Sequence, residues 1–170
     1  MTAEEGVGIE KKRGRTTERI QSEVTSLKRL AIFFHDTIIQ ETGGLPGLWN
    51  EEKLESALAS PFATFEGEDL HPTVFDKSAA LMRSLVKNHP FADGTKRTGF
   101  IMTALFLLER GWGFRQDLPD DEVVEFCVLV AEEDLPLPEI SLWLEKNTTQ
   151  SSVHDFLRVN RPLYRKLANA

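Results

Sequence analysis

The sequence predicts an all-α fold, a bundle of helices packed around one central buried helix. Three observations carry that prediction. Apolar residues recur at spacings of three and four over residues 20–38, the signature of an amphipathic helix. Residues 95–109 are apolar on all sides, which suits a helix surrounded by others rather than one lying at the surface. No series of alternating residues marks a set of strands, and there is neither an internal repeat nor sustained βα alternation. At 170 residues the chain is long enough for one domain that buries about 70% of its unfolded surface without a metal or disulfide. Cys127 is the single cysteine, which excludes an intrachain disulfide framework and a cysteine-rich zinc site.

The elements follow in order. Residues 1–15 are rich in Gly, Glu and Lys with almost nothing to bury, so a disordered tail is expected there. From Thr16 the stripe Ile20, Val24, Leu27, Ala31, Phe34, Ile38 defines a long helix that Gly43-Gly44 ends. Asn50 reads as an N-cap, with Glu51 and Glu52 favourable to the helix dipole and Leu54, Ala57 and Leu58 as the buried face. Pro61 stops that helix. Residues 61–70 have no helical period, and the Glu66-Gly67 pair suits a short β-hairpin flap carrying Phe62, Thr64 and Phe65. Pro72 is expected to open the next helix, with Phe75, Ala79, Met82 and Val86 on its inner face and its end at His89-Pro90.

After the loop comes the central helix 95–109, closed by Gly111 and Gly113. Pro119-Asp120-Asp121-Glu122 is a helix start for a segment with Val123, Val124, Phe126, Cys127 and Val130. Pro136 and Pro138 precede a helix with Ile140, Trp143 and Leu144. Ser152-x-x-Asp155 resembles a capping box before Phe156 and Leu157, which predicts a C-terminal helical extension over 148–170 beyond a domain of residues 16–147.

Charge excludes some functions. The formal net is −7, and residues 30–147 hold 9 basic against 21 acidic residues. So acidic a body argues against a general nucleic-acid binder. The N-terminal residues MTAEEGVGIEKKRGR offer no apolar stretch of signal-peptide length, and no run approaches a membrane span; the expected address is cytoplasmic. His35, His71 and His154 share no metal-ligand spacing. His35, on the long helix, and Cys127, in an apolar run, are expected to be structural.

The chemistry concentrates in residues 88–100, NHPFADGTKRTGF. A histidine ends one helix, a tight loop follows, and then comes the N-terminus of the most buried helix. Free backbone N–H groups and the positive end of the dipole make such a terminus an anion site. Gly94 lets the backbone approach a ligand closely. Lys96 and Arg97 are cations in the first turn, where the dipole disfavours them, and an anion would relieve that conflict. Asp93 beside a phosphate suits Mg²⁺, a hard cation that takes carboxylate and phosphate oxygen together. His89 can serve as general base near neutral pH. These parts suit phosphoryl or nucleotidyl transfer from a nucleoside triphosphate. The segment alone also describes an ordinary helix–loop–helix junction.

The string His89-Pro90-Phe91-Ala92-Asp93-Gly94-Thr95-Lys96-Arg97 resembles the signature H-P-F-x-D-G-x-K-R of the Fic/Doc family. Lys96 resembles the Doc (death on curing) toxin branch, because the AMP-transferring Fic branch has Gly there. Residues 43–61, GGLPGLWNEEKLESALASP, are similar to the stretch that leads into the target-binding flap in the Doc branch. The resemblance spans about residues 27–146. It implies a Fic/Doc-like helical bundle with His89 as the base that deprotonates a hydroxyl on a target protein. It further implies Asp93 as the Mg²⁺ ligand, Gly94, Thr95, Lys96 and Arg97 as the nucleotide-binding residues, and Phe91 as a buried anchor. Phe62, Thr64 and Phe65 would belong to the flap that pairs with the target by strand addition.

For the Doc branch the implied reaction is transfer of the γ-phosphate of ATP to a Ser or Thr hydroxyl. The implied target is elongation factor Tu, and the implied partner is a small antitoxin that covers the site. Two other readings stay open, AMP transfer and an inactive module that binds an antitoxin-like partner. Thr95 departs from the family's Asn. A lost charge-assisted hydrogen bond there would weaken nucleotide positioning by roughly 1–3 kcal/mol. Phe100 stands where AMP-transferring members carry a further Arg, as in the Doc branch. Ser141-x-x-x-Glu145 is similar to the family's inhibitory helix motif, but Lys146 takes its last place, and Trp143 and Leu144 read as core.

Overall fold

The computed structural model describes residues 3–152, with side chains from Thr16 onward. Helix α1 (Ala3–Thr42) is followed by α2 (Glu51–Ala59), a 3₁₀ turn (Ser60–Phe62) and the hairpin β1 (Thr64–Phe65) and β2 (Glu68–Asp69). Then come α3 (Val74–Asn88), α4 (Thr95–Glu109), β3 (Trp112–Phe114), α5 (Asp120–Glu132), α6 (Leu137–Lys146) and β4 (Thr148–Gln150). Both sheets are two-stranded and antiparallel, β1 with β2 and β3 with β4. The all-α class stands. Among the described residues no helix is long and apolar enough to cross a membrane.

Helix α4 occupies the centre because it has an apolar side for each of two core clusters. Met102 and Phe106 join Leu27, Ala31, Leu54, Leu58, Leu81 and Leu85 from α1, α2 and α3. Leu107 joins Phe75, Met82, Phe126, Ile140 and Leu144 from α3, α5 and α6. Gly99 makes the α3–α4 contact possible, because a Cβ there would meet Val86 Cγ2 at 2.9 Å.

Several expectations are corrected. The backbone of α1 is helical from Ala3, where the sequence predicts a disordered tail before Thr16. Residues 3–15 contain no proline, and a helix already formed from residue 16 propagates without a new nucleus. The buried line of α1 runs Val24, Leu27, Ala31, His35, Ile39, while Phe34 and Ile38 are only half-buried. Pro72 does not open α3. Thr73 is its N-cap, in a reciprocal capping box with Asp76. Phe62 belongs to the 3₁₀ turn and packs against the core, its ring 6.2 Å from Phe106, so it is not part of the flap.

The hairpin itself forms as expected. Glu66 (φ 51°) and Gly67 (φ 87°) make the turn with both central residues at positive φ, the geometry that matches strand twist in a two-residue hairpin. At the other end of the chain, Thr148–Gln150 is not the start of a helical extension. It pairs with Trp112–Phe114, so the domain extends through β4 and Gly113 lies within a strand. The reason is local: Gly111 (φ 87°) ends α4 and turns the chain back, and Ser151 N–H donates to its carbonyl at 2.8 Å. The capping pattern to Asp155, His154 and the rest of the expected extension lie outside the described residues.

Candidate active site

The loop between α3 and α4 is shaped by three backbone features. Proline at position 90 disfavours continuing α3, which ends at Asn88, and His89 caps it in the left-handed conformation (φ 47°, ψ 59°). Phe91 is buried in the loop, 3% exposed. Gly94 (φ 71°) then caps α4 with no side chain bonded to the first turn, and the helix's own ladder begins with Thr98 N–H to the Gly94 carbonyl at 2.9 Å. The N–H groups of Thr95, Lys96 and Arg97 therefore precede the first intrahelical bond of a 15-residue helix.

Two elements brace the loop. The segment before α2 lies alongside it, with Trp49 N–H on the Pro90 carbonyl at 2.8 Å and Ala92 N–H on the Gly47 carbonyl at 3.0 Å. Leu48 and Phe91 form an isolated antiparallel bridge between them. From α1, the His35 ring stacks on Phe91 with centroids 4.0 Å apart and planes 7° apart. His35 Nε2–H donates to the Asp93 carbonyl at 3.1 Å, the role a carbonyl requires of its partner. His35 is thus structural, as expected, and it also aligns the residue that carries the carboxylate.

Asp93 Oδ1 accepts the Gly94 N–H at 2.6 Å. That bond, aided by the Leu45 N–H and the Arg97 cation, holds the Asp93 carboxyl below its ordinary value against partial desolvation. Its other oxygen rests on Gly44, where a Cβ would come within 2.6 Å of Asp93 Oδ2. The cations have protein partners as well. Arg97 donates to the Thr42 hydroxyl and to the Gly43 carbonyl at 3.1 Å, at the negative end of α1, and lies 3.6 Å from Asp93 Oδ1. Lys96 Nζ lies 3.6 Å from Glu132 at the end of α5. Lys87, in the last turn of α3, fixes that end by donating to the carbonyls of Ala131 at 3.2 Å and Glu133 at 2.9 Å.

The result is one cleft of about 570 Å³ lined by His89, Phe91, Asp93, Gly94, Thr95, Lys96 and Arg97 together with Trp49, Ala92, Ala131 and Glu132. Every loop residue selected from the sequence reaches it. Thr64 and Phe65 do not line it: both are exposed on the hairpin, Phe65 by 66%. Trp49 and Glu132 were missed by sequence reasoning, as was the contact of His35 with the loop. His35 had a readable signal, since it continues the spacing 24, 27, 31, 35, 39. Trp49 had a weaker one, an aromatic in a Gly-Pro loop outside any apolar stripe. Glu132 had none.

Asp93 presents an ionised carboxylate to the cleft, and Glu132 on the far wall faces Lys96. Among the described residues no group of three or more His, Cys, Asp or Glu side chains gathers to hold a metal by itself. A Mg²⁺ ion would fit as one that takes its remaining ligands from phosphate and water.

A family model for the Fic/DOC family matches residues 26–107. That span runs from α1 through the central helix and includes the whole loop. The chain is also 38% identical over 88 residues to the protein named Toxin Doc from Mycolicibacterium smegmatis, covering 52% of this chain and 68% of that one. This chain belongs to the Fic/Doc family. Members of the family are transferases that act on proteins. Within this Fic/Doc chain, α5, α6 and β4 lie beyond the matched span, yet α5 supplies the far wall of the cleft through Ala131 and Glu132.

The Ser141-x-x-x-Glu145 pattern lies elsewhere. Ser141 Oγ donates to Asp76 Oδ1 at 2.7 Å, at the first turn of α3. His89 is at the opposite end of that helix, about 20 Å from Asp76 at 1.5 Å per residue. Ser141 therefore ties α6 to α3.

Proposed function

We propose that this protein is a toxin-like, protein-modifying transferase that moves the γ-phosphate of ATP to a Ser or Thr hydroxyl of a target protein, with elongation factor Tu as the first candidate. The carrying observation is that His89 and the uncapped N-terminus of α4 share one cleft with an ionised Asp93. Triphosphate oxygens suit the free N–H groups of Thr95, Lys96 and Arg97, where the helix dipole favours negative charge. Lys96 and Arg97 exchange Glu132 and the end of α1 for phosphate as the nucleotide enters. Asp93 would hold Mg²⁺, which supplies charge neutralisation on the phosphates. His89 accepts the proton of the target hydroxyl as its oxygen bonds to the γ-phosphorus and the bond to the β-phosphate oxygen breaks, releasing ADP.

The hairpin supports a docking role for its edge. Thr64 and Phe65 are exposed on a two-stranded sheet, and an extended target segment can add to such an edge. The name of the Mycolicibacterium relative supports reading this chain as a toxin regulated by an antitoxin partner. One observation favours a second reading, an inactive module that binds such a partner. Thr95 lines the cleft in place of the family's Asn, offering a shorter donor to phosphate.

The test is label transfer from ATP carrying label at the γ- or the α-phosphate, with Mg²⁺, into purified elongation factor Tu and into a bacterial lysate. The γ-label is expected on one protein band, and His89→Ala is expected to lower the rate by about 10²–10⁴ while the fold is retained. Transfer of the α-label would instead make the protein an AMP transferase. Silence from both labels, in the Thr95→Asn protein too, would leave the binding module.

A further inference from the structure

We propose that the groove between α5 and α6 seats this chain's own C-terminal segment, residues 153–170. The groove has a volume of about 520 Å³ and lies apart from the catalytic cleft. Its floor is apolar: Phe126 stacks on Trp143 with centroids 3.7 Å apart and planes 6° apart, and Leu129 is 39% exposed beside them. Its rim is acidic, formed by Glu122, Glu125 and Glu139. None of these three carboxylates is in an ion pair among the described residues.

The segment has the complementary chemistry. It carries Arg158, Arg161, Arg165 and Lys166 against Asp155 alone, interleaved with Phe156, Leu157, Leu163 and Tyr164. An apolar floor with unpaired acids around it suits a strand of chain that is apolar and basic by turns. The connection allows the encounter. β4 follows directly on α6, one wall of the groove, and pairs with β3, whose Phe114 ring is 6.1 Å from Trp143. The described chain ends at Ser152, and the residues beyond it reach up to about 60 Å when extended. Tethering also gives the segment an effective concentration of order mM at the groove, far above that of a free partner.

Trypsin cleavage of the full chain after Arg158, Arg165 and Lys166 tests this, followed by mass spectrometry; Arg161 is excluded because Pro162 follows it. At about 0.05 M salt the segment is expected to be cut about tenfold more slowly than in a Glu122→Gln/Glu125→Gln/Glu139→Gln protein, as for a segment closed nine-tenths of the time. Raising wild-type protein to about 0.5 M salt, which shortens the screening length from about 14 to about 4 Å, is expected to remove that protection without any mutation. Cleavage after Lys146, inside α6, reports whether the variant has lost its fold. Equal rates in wild type and variant, or a wild-type rate that ignores salt, would overturn the proposal. So would protection that fades on dilution, because the occupant would then be a second copy.

Discussion

His35 shows how a residue outside the loop holds the loop's chemistry in place. It is 1% exposed, its ring lies flat on Phe91, and its Nε2–H fixes the carbonyl of the residue whose carboxylate faces the cleft. Removing it leaves a cavity beside Phe91 and an unmet carbonyl. His35→Ala is expected to lower stability by about 2–4 kcal/mol, seen as an earlier urea midpoint, and to weaken nucleotide binding with the loop no longer aligned. An unchanged midpoint would show that the stack contributes nothing. The loop residues themselves were legible in the sequence because their types are tied to backbone demands: Pro90 ends a helix, Gly94 takes a positive φ, and Asp93 precedes it. His35 was legible only as a structural residue. Its partner lies in a loop far along the chain, and nothing in the local pattern of α1 points there.

At the scale of elements, the start of α3 joins two helices through one carboxylate. Asp76 accepts from the Thr73 N–H at 3.2 Å, the Thr73 hydroxyl at 2.7 Å and the Ser141 hydroxyl at 2.7 Å. Burial raises its pKa, but these hydrogen bonds outweigh burial and hold it below the ordinary value. A carboxyl depressed in the folded state stabilises fully above the unfolded value of about 3.9, and the contribution is lost as pH falls through the lower folded value. Asp76→Asn is therefore expected to cost about 1–2 kcal/mol at neutral pH and progressively less in acid, measured by denaturation across pH. Helix existence was legible because α2 carries its Asn50 cap locally, and α4, α5 and α6 carry their apolar faces and their Gly or Pro boundaries locally. Two of the errors fell on short elements whose identity depends on partners distant in sequence: β4 is a strand because β3 lies beside it, and Phe62 turns inward because Phe106 awaits it.

For the whole molecule, Cys127 reports on how α5 packs against the core. Burial pushes its thiol up to about 11, opposed only by the nearby Lys96 cation. The native thiol is expected to resist alkylation at pH 8, where an ordinary thiol is partly ionised, because little of it is thiolate and part of it is covered. Labelling at the rate of a free thiol in native protein would contradict that packing. The two core clusters meet at α4, so the helix whose N-terminus is the proposed anion site is packed on both sides. His89 stands in contrast to that rigidity. It holds a left-handed backbone that a glycine or asparagine would adopt more readily, at a penalty on the order of 1 kcal/mol for a side chain of its kind. His89→Gly or His89→Asn would be favoured by the backbone alone, so the imidazole is held here against a conformational preference.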